Sequence, residues 1–221
     1  MSDNTPQELQ KLYAARFERN LDYRRRVWRV LIASFFSRYI GPCDAVLDLG
    51  CGYGEFINQV HCARKLAMDL NPDVARRLDP AVKLLAQDCS ATWPLPDDSL
   101  DVVFTSNFFE HLPSKQGLAN TLAQAHRCLR PGGLVLAIGP NIKCLPGAYW
   151  DFWDHHLPLT ESSLKEAMAA AGFRIVLCRE RFLPYTMAHS RQYPDFLLKI
   201  YLKLPTLWRL FGRQFLVVAA K

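Results

Sequence analysis

The sequence predicts an α/β domain: a mostly parallel sheet with helices on both faces. Three observations predict it. Between residues 44 and 140, short and nearly continuous apolar runs alternate with stretches of helical length, the pattern of strands buried on both faces. The first run, AVLDL at 45–49, leads directly into glycines at 50, 52 and 54, and a tight turn after a buried strand is where such sheets place a ligand. Carboxylates then recur at the ends of the next two runs, at Asp69 and Asp88.

Two helices are expected ahead of the sheet, over about 6–20 and 22–40. AVLDL (45–49) is the first strand, and EFINQVHCA (55–63) reads as the helix after it. KLAMDL (65–70) is the second strand, followed by Asn71-Pro72, a helix-opening pair. VKLLAQD (82–88) is the third strand and SLDVVFTSN (99–107) the fourth. In SKQGLANTLAQAHRCL (114–129), Leu118, Leu122, Ala125 and Leu129 form one helical stripe, and Pro131-Gly132-Gly133 stops it. LVLAIGP (134–140) is the fifth strand. Thr160 is a good N-cap for a helix ending at Gly172, and FRIVLCRERF (173–182) and QFLVVAAK (214–221) are two further strands. The chain thus divides into a helical extension, 1–43, and a main domain, 44–221, with a helical insertion over about 183–213.

The composition, half hydrophobic and 22% charged over 221 residues, is that of a globular chain with a sizeable core. No apolar run is long enough for a membrane-spanning helix, and the polar start MSDNTPQELQ is not a secretory signal. Seven cysteines, an odd number with no C-x-x-C pair, point to reduced thiols and a cytoplasmic setting. No metal-ligand cluster is read from the spacing. The net charge of +6 is segregated: +4 over 1–43, −4 over 44–178 and +6 over 179–221. Such basic ends suit nucleic acid or anionic lipid, or are solvated helix faces.

The glycine turn carries the chemistry. Without a Cβ, Gly50 turns sharply and Gly52 lets a ligand lie on the backbone, while a helix starting near Gly54 would point free N–H groups at the same spot. A dinucleotide fingerprint requires G-x-G-x-x-G, but residue 55 is Glu55 and the spacing is G-x-G-x-G. Asp48, just before the turn, would repel a pyrophosphate and suits a cationic group such as an ammonium or sulfonium. Asp69 stands where a carboxylate accepts from both ribose hydroxyls, and Asp88 where one accepts from an exocyclic amine. Asn107 and Glu110 follow the fourth strand. Together these describe a site for a nucleoside with a positively charged tail.

At these residues the chain resembles the class I S-adenosylmethionine-dependent methyltransferases, in particular the bacterial type 11/12 methyltransferase domains. VLDLGCGYGEF (46–56), AMDLNP (67–72), AQDCS (86–90), SLDVVFTSNFFEHLPS (99–114) and LRPGGLVLAIGPN (129–141) stand in family order and span about half the chain. The resemblance implies a Rossmann-like seven-stranded sheet whose last strand, QFLVVAAK, is antiparallel and inserted beside FRIVLCRERF. It implies S-adenosylmethionine as cofactor and S-adenosylhomocysteine as product. It assigns Gly50, Cys51, Gly52 and Gly54 to the methionine moiety, Asp48 to its ammonium, Asp69 with Leu70 to the ribose, Asp88 and the Cys89 backbone to adenine, and Asn107 to the closing of the pocket. The alternatives are turn-capping carboxylates at Asp48 and Asp88 and a helix cap at Asp69. The stretches from 153–173 through RFLPY (181–185) to the end resemble a subgroup linked to polysaccharide or glycolipid biosynthesis.

Methyl transfer of this kind is an in-line displacement governed by positioning, and a hydroxyl acceptor gains from a general base. The candidates are His155, His156, His111, Tyr149 and Asp154; His111 also reads as structural. The aromatics of GAYWDFWDHHLP (147–158) either seat an acceptor or pack as a shield. In the 194–213 segment, Phe196, Leu197, Ile200, Tyr201 and Leu204 share a helical face beside Lys199 and Lys203. That face would rest on a membrane, peripheral to its inner side, or pack on the N-terminal helices. The expected acceptor is a small molecule, saccharide or lipid-linked intermediate. A nucleic-acid (RNA) methyltransferase is the alternative, disfavoured because SNFFEH lacks the N/D-P-P-Y/F signature of base methylation; so no nucleic-acid partner is expected. A non-catalytic cofactor-binding module is a third reading.

Overall fold

A computed structural model describes residues 20–185 and 192–221. The first predicted helix lies outside them except for its last residue. Seven strands form one sheet: β1 (Ala45–Leu49), β2 (Arg64–Met68), β3 (Val82–Leu85), β4 (Leu100–Ser106), β5 (Leu129–Pro140), β6 (Arg174–Arg179) and β7 (Gln214–Ala220), in the order β3-β2-β1-β4-β5-β7-β6. Strands β1 to β5 pair in parallel, and β7 runs antiparallel between β5 and β6. The order reverses between β1 and β4, so the crevice at the carboxyl ends of these two strands is the ligand position of an open α/β sheet.

Alternation along the strands divides the core into two layers. Leu47, Leu49, Leu66, Val103, Val217 and Ala219 face one, which α2 (Lys115–Cys128) and α3 (Glu161–Ala170) cover. Val46, Ala67, Val102, Phe104, Leu216 and Val218 face the other, under α1 (Leu21–Ser34) and the helices α4 (Asp195–Lys203) and α5 (Pro205–Phe211). Trp28 and Phe36 therefore share a core with the sheet: Phe56 stacks on Phe104 at 3.7 Å, and Trp28 meets both rings edge-on at 5.9 and 5.7 Å. The caps act as their residue types predict. Ser114 Oγ accepts from the Gly117 amide at 3.1 Å, and Thr160 and Ser163 form a reciprocal capping box.

Two expectations are corrected. Residues 55–59 form turns and 60–63 continue irregularly, not as a helix, with mixed bonds from Asn58 N to Gly54 O, Gln59 N to Phe56 O and Val60 N to Phe56 O, all 3.0 Å. Every residue from Cys51 to Ile57 is buried, and a helix that turns through a full circle in 3.6 residues buries a run like this only when surrounded. Second, the fifth strand begins at Leu129 and not at Leu134, so the Pro131-Gly132-Gly133 triplet is not a break between α2 and that strand. Helix α2 ends at Cys128, because Leu129 is already extended and pairs with Leu100; the triplet lies inside β5, beside a register shift between Leu100 and Val102.

Candidate active site

The turn after β1 is built from left-handed backbone: φ is 69° at Gly50, 52° at Gly52 and 75° at Gly54, a region closed to most side chains. The Gly50 amide donates to Met68 O at 2.8 Å. Asp69, just past β2, fastens the turn: Oδ2 accepts from the Gly52 amide at 2.9 Å and Oδ1 from the Asn71 amide at 2.8 Å. Gly50 has a further reason to be glycine. A Cβ there would sit 2.2 Å from the ring of Phe108, so the missing side chain admits an aromatic from the segment after β4.

Asp48 is 3% exposed and accepts from the Ile57 amide. Burial, then the negative charges of Glu55 and Asp69, hold its carboxyl well above the usual range. Glu55 is itself committed to Arg24 of α1 at 3.0 Å, in a pair buried on both sides. A cationic ligand would relieve the surplus negative charge around Asp48. Asn107, with φ of 51°, is bound through its backbone amide to Ile138 O at 2.9 Å, and its Oδ1 is buried with no hydrogen-bond partner among the described residues. Leu70 is exposed beside Asp69. Asp88 is exposed and accepts from the Ser90 amide at 2.7 Å, the turn-capping use that the sequence left open. Cys89 is buried and its thiol is pushed up to about 11 by burial; it accepts from Thr121 at 3.3 Å, so it is not a nucleophile. The Cys89 carbonyl accepts from Trp93 Nε1 at 2.8 Å. Cys51 is likewise buried with its thiol raised.

A second group of residues faces the same strand ends. The carbonyl of Glu110 accepts from the His156 amide at 2.8 Å and the Leu157 amide at 3.0 Å, which staples the loop after β5 to the segment after β4. Across that seam His111 Nδ1 lies 2.9 Å from Asp154 O and 3.3 Å from Asp154 Oδ2. His155 is buried, with its ring stacked on Phe152 at 5.0 Å, tilted to Tyr149 at 4.7 Å and edge-on to His111 at 5.0 Å. Tyr149 donates its hydroxyl to Leu157 O, and burial raises its phenol. Glu110 is 2% exposed, and burial, with Asp154 adding to it, pushes its carboxyl up to about 8.

The structure thus brings two of the three predicted histidines together and leaves the third apart: His156 is exposed and engages the seam through its backbone. The loop aromatics also part company, with Tyr149 in the core and Trp150 and Trp153 in solvent. Glu110 joins this group without a role assigned from the sequence pattern. The signal was there, a lone acid in the apolar run FFEHL, where a carboxylate goes underground only with a purpose.

Residues 47–137 match the model of the methyltransferase domain family. Among curated proteins, the chain is 31% identical over 158 residues to a malonyl-[acyl-carrier protein] O-methyltransferase of Dechloromonas aromatica, covering 68% of this chain and 57% of that protein. It is 29% identical over 128 residues to a sarcosine/dimethylglycine N-methyltransferase of Halorhodospira halochloris, covering 53% and 44%. The chain spans about half the length of the curated relatives it matches. Among solved structures, an S-adenosylmethionine-dependent methyltransferase of Archaeoglobus fulgidus superposes with a TM-score of 0.67 at 22% identity, over 93% of this chain and 99% of that one. One from Mesorhizobium loti does so with a TM-score of 0.62 at 18% identity, over 87% and 98%. These superpositions show the fold.

Proposed function

We propose that this chain, which carries a class I S-adenosylmethionine-dependent methyltransferase domain, transfers a methyl group to an oxygen of a small-molecule, saccharide or lipid-linked acceptor. The observation that carries the reading is the junction of Asp69 with the glycine turn. One carboxylate fixes a left-handed backbone bend and stands at the end of β2, beside the buried carboxyl of Asp48, which Glu55 and Asp69 surround with negative charge. Bound S-adenosylmethionine supplies the activated methyl group. Asp69 is placed to accept from ribose hydroxyls, Asp48 to meet an ammonium, and the Gly50–Gly54 backbone to lie against the methionine chain. Asn107 offers its buried Oδ1 as an acceptor at the same crevice. Asp88 and the Cys89 backbone remain our assignment for the adenine edge.

His111 and His155 are the side chains placed to act on an acceptor proton. Asp154 behind His111 fixes its tautomer and orientation, the arrangement of an oriented base. His156 is exposed and lies outside this pair. The outward face of α4 and α5 supports a lipid-linked acceptor. Tyr201 and Leu202 turn inward, with Tyr201 Oη donating to Phe182 O at 2.5 Å. Phe196, Leu197, Ile200, Leu204, Leu210 and Phe211 stay exposed among Lys199, Lys203 and Arg209. That apolar and basic mixture fits the surface of an anionic bilayer, where such an acceptor would be presented. The direct experiment is incubation of the chain with methyl-labelled cofactor and fractionated cell extract. Label entering the lipid or saccharide fraction supports the reading, and label entering RNA alone overturns it.

A further inference from the structure

We propose that Glu110, His111 and His155 form a binding site for one divalent first-row transition cation. Each offers one ligand atom, and the three atoms lie within 4.8 Å of one another. Two imidazoles and one carboxylate are the donor set that suits zinc, manganese or iron and is poor for magnesium or calcium. Ligand atoms about 2.0–2.2 Å from a shared ion stand roughly 3–4 Å apart, so the side chains need to close by only about an ångström.

A second, independent observation points to the ion. Glu110 is 2% exposed, and among the described residues its Oε1 is buried without a hydrogen-bond partner. A buried polar oxygen left unsatisfied is costly, and a cation is one partner that removes the cost. The surroundings are those of a metal site. Asp154 Oδ2 lies 3.3 Å from His111 Nδ1, a carboxylate of the kind that orients a ligating imidazole. His155 is held between Phe152 and Tyr149, and the Glu110 backbone is fixed by two amides. Three protein ligands leave coordination positions open, as catalytic sites do and structural sites do not. The inference rests on the methyltransferase reading only in naming what fills an open position, the acceptor oxygen. A bound ion would lower that oxygen's proton affinity, and His111 and His155 would then serve by holding the ion.

The test uses the full chain, stripped with chelator and titrated with Zn²⁺ and Mn²⁺ against a chromophoric competitor, with Mn²⁺ binding also followed by electron paramagnetic resonance. One equivalent per chain is expected. Glu110→Gln and His155→Ala should each weaken binding by about tenfold or more, while His156→Ala, in the same loop, should not. Binding of S-adenosylhomocysteine, measured on every variant by calorimetry, establishes that the variants are folded. It also separates this proposal from the methyltransferase reading, because it needs no cation. Absence of stoichiometric Zn²⁺ or Mn²⁺ binding in wild type, or equal binding in variants that retain S-adenosylhomocysteine, overturns the site and leaves the methyltransferase reading standing.

Discussion

Asp69 has two tasks, and a single substitution exposes both. Its oxygens hold the Gly52 and Asn71 amides at 2.9 and 2.8 Å. Asp69→Asn keeps the shape but loses one acceptor and the charge, and hydrogen bonds to charged groups contribute about 1.5–3 kcal/mol. Calorimetry should show S-adenosylhomocysteine binding weakened by about 10–100-fold, with a melting temperature lower by a few degrees. Gly50→Ala meets two obstacles, a φ of 69° and the Phe108 ring 2.2 Å from the new Cβ. The Gly50→Ala/Phe108→Ala pair removes only the second. A double-mutant cycle on unfolding should therefore show partial recovery, with about 1–2 kcal/mol of backbone strain left over. Asp48 makes a prediction about protons. Its carboxyl is held up by burial and by Glu55 and Asp69, and an ammonium beside it would bring its proton affinity down again. Cofactor binding should therefore release a proton and tighten as pH rises above the ordinary aspartate range, levelling off above the raised value. Calorimetry in two buffers of different ionisation enthalpy reads this directly, and Asp48→Asn should abolish the release.

Among the elements, α1 is tied to the ligand turn by the Arg24–Glu55 pair, 7% and 5% exposed. Arg24→Met strands the Glu55 carboxylate and should cost about 3–5 kcal/mol in urea unfolding. Adding Glu55→Gln to it should recover a large part, since no charge is then left buried. Strands were the most legible elements, because an apolar run such as AVLDL has one meaning when helical stretches flank it, and β1 spans Ala45–Leu49 as read. The turns at 55–59 were not legible. Phe56, Ile57 and Val60 carry helical spacing, yet it is the stacking of Phe56 on Phe104 and the pairing of Glu55 with Arg24 that fix the chain there. Both partners are distant in sequence. The difference between the neighbouring histidines was no more legible: nothing local distinguishes His155 from His156, and the seam from Glu110 to residues 156 and 157 accompanies the inward turn of one and the outward turn of the other.

Over the whole molecule, charge and apolar exposure coincide. The basic surplus belongs to the chain's ends and the acidic centre to the sheet. Lys199, Lys203 and Arg209 lie on the face where Phe196 and Leu210 remain 59% and 65% exposed. Among the described residues no helix is long and apolar enough to cross a membrane. Each basic side chain near an anionic surface contributes about 1 kcal/mol, and the apolar side chains add a term that salt does not screen. The two contributions can be separated. Co-sedimentation should be strong with anionic vesicles at low salt and weak with zwitterionic ones. Lys199→Gln/Lys203→Gln should weaken the anionic binding by about 30-fold and flatten its dependence on salt. Leu210→Ser/Phe211→Ser should instead weaken binding at all salt concentrations and leave the dependence unchanged. Equal binding to both vesicle types, or none at low salt, would show that this face serves some other contact.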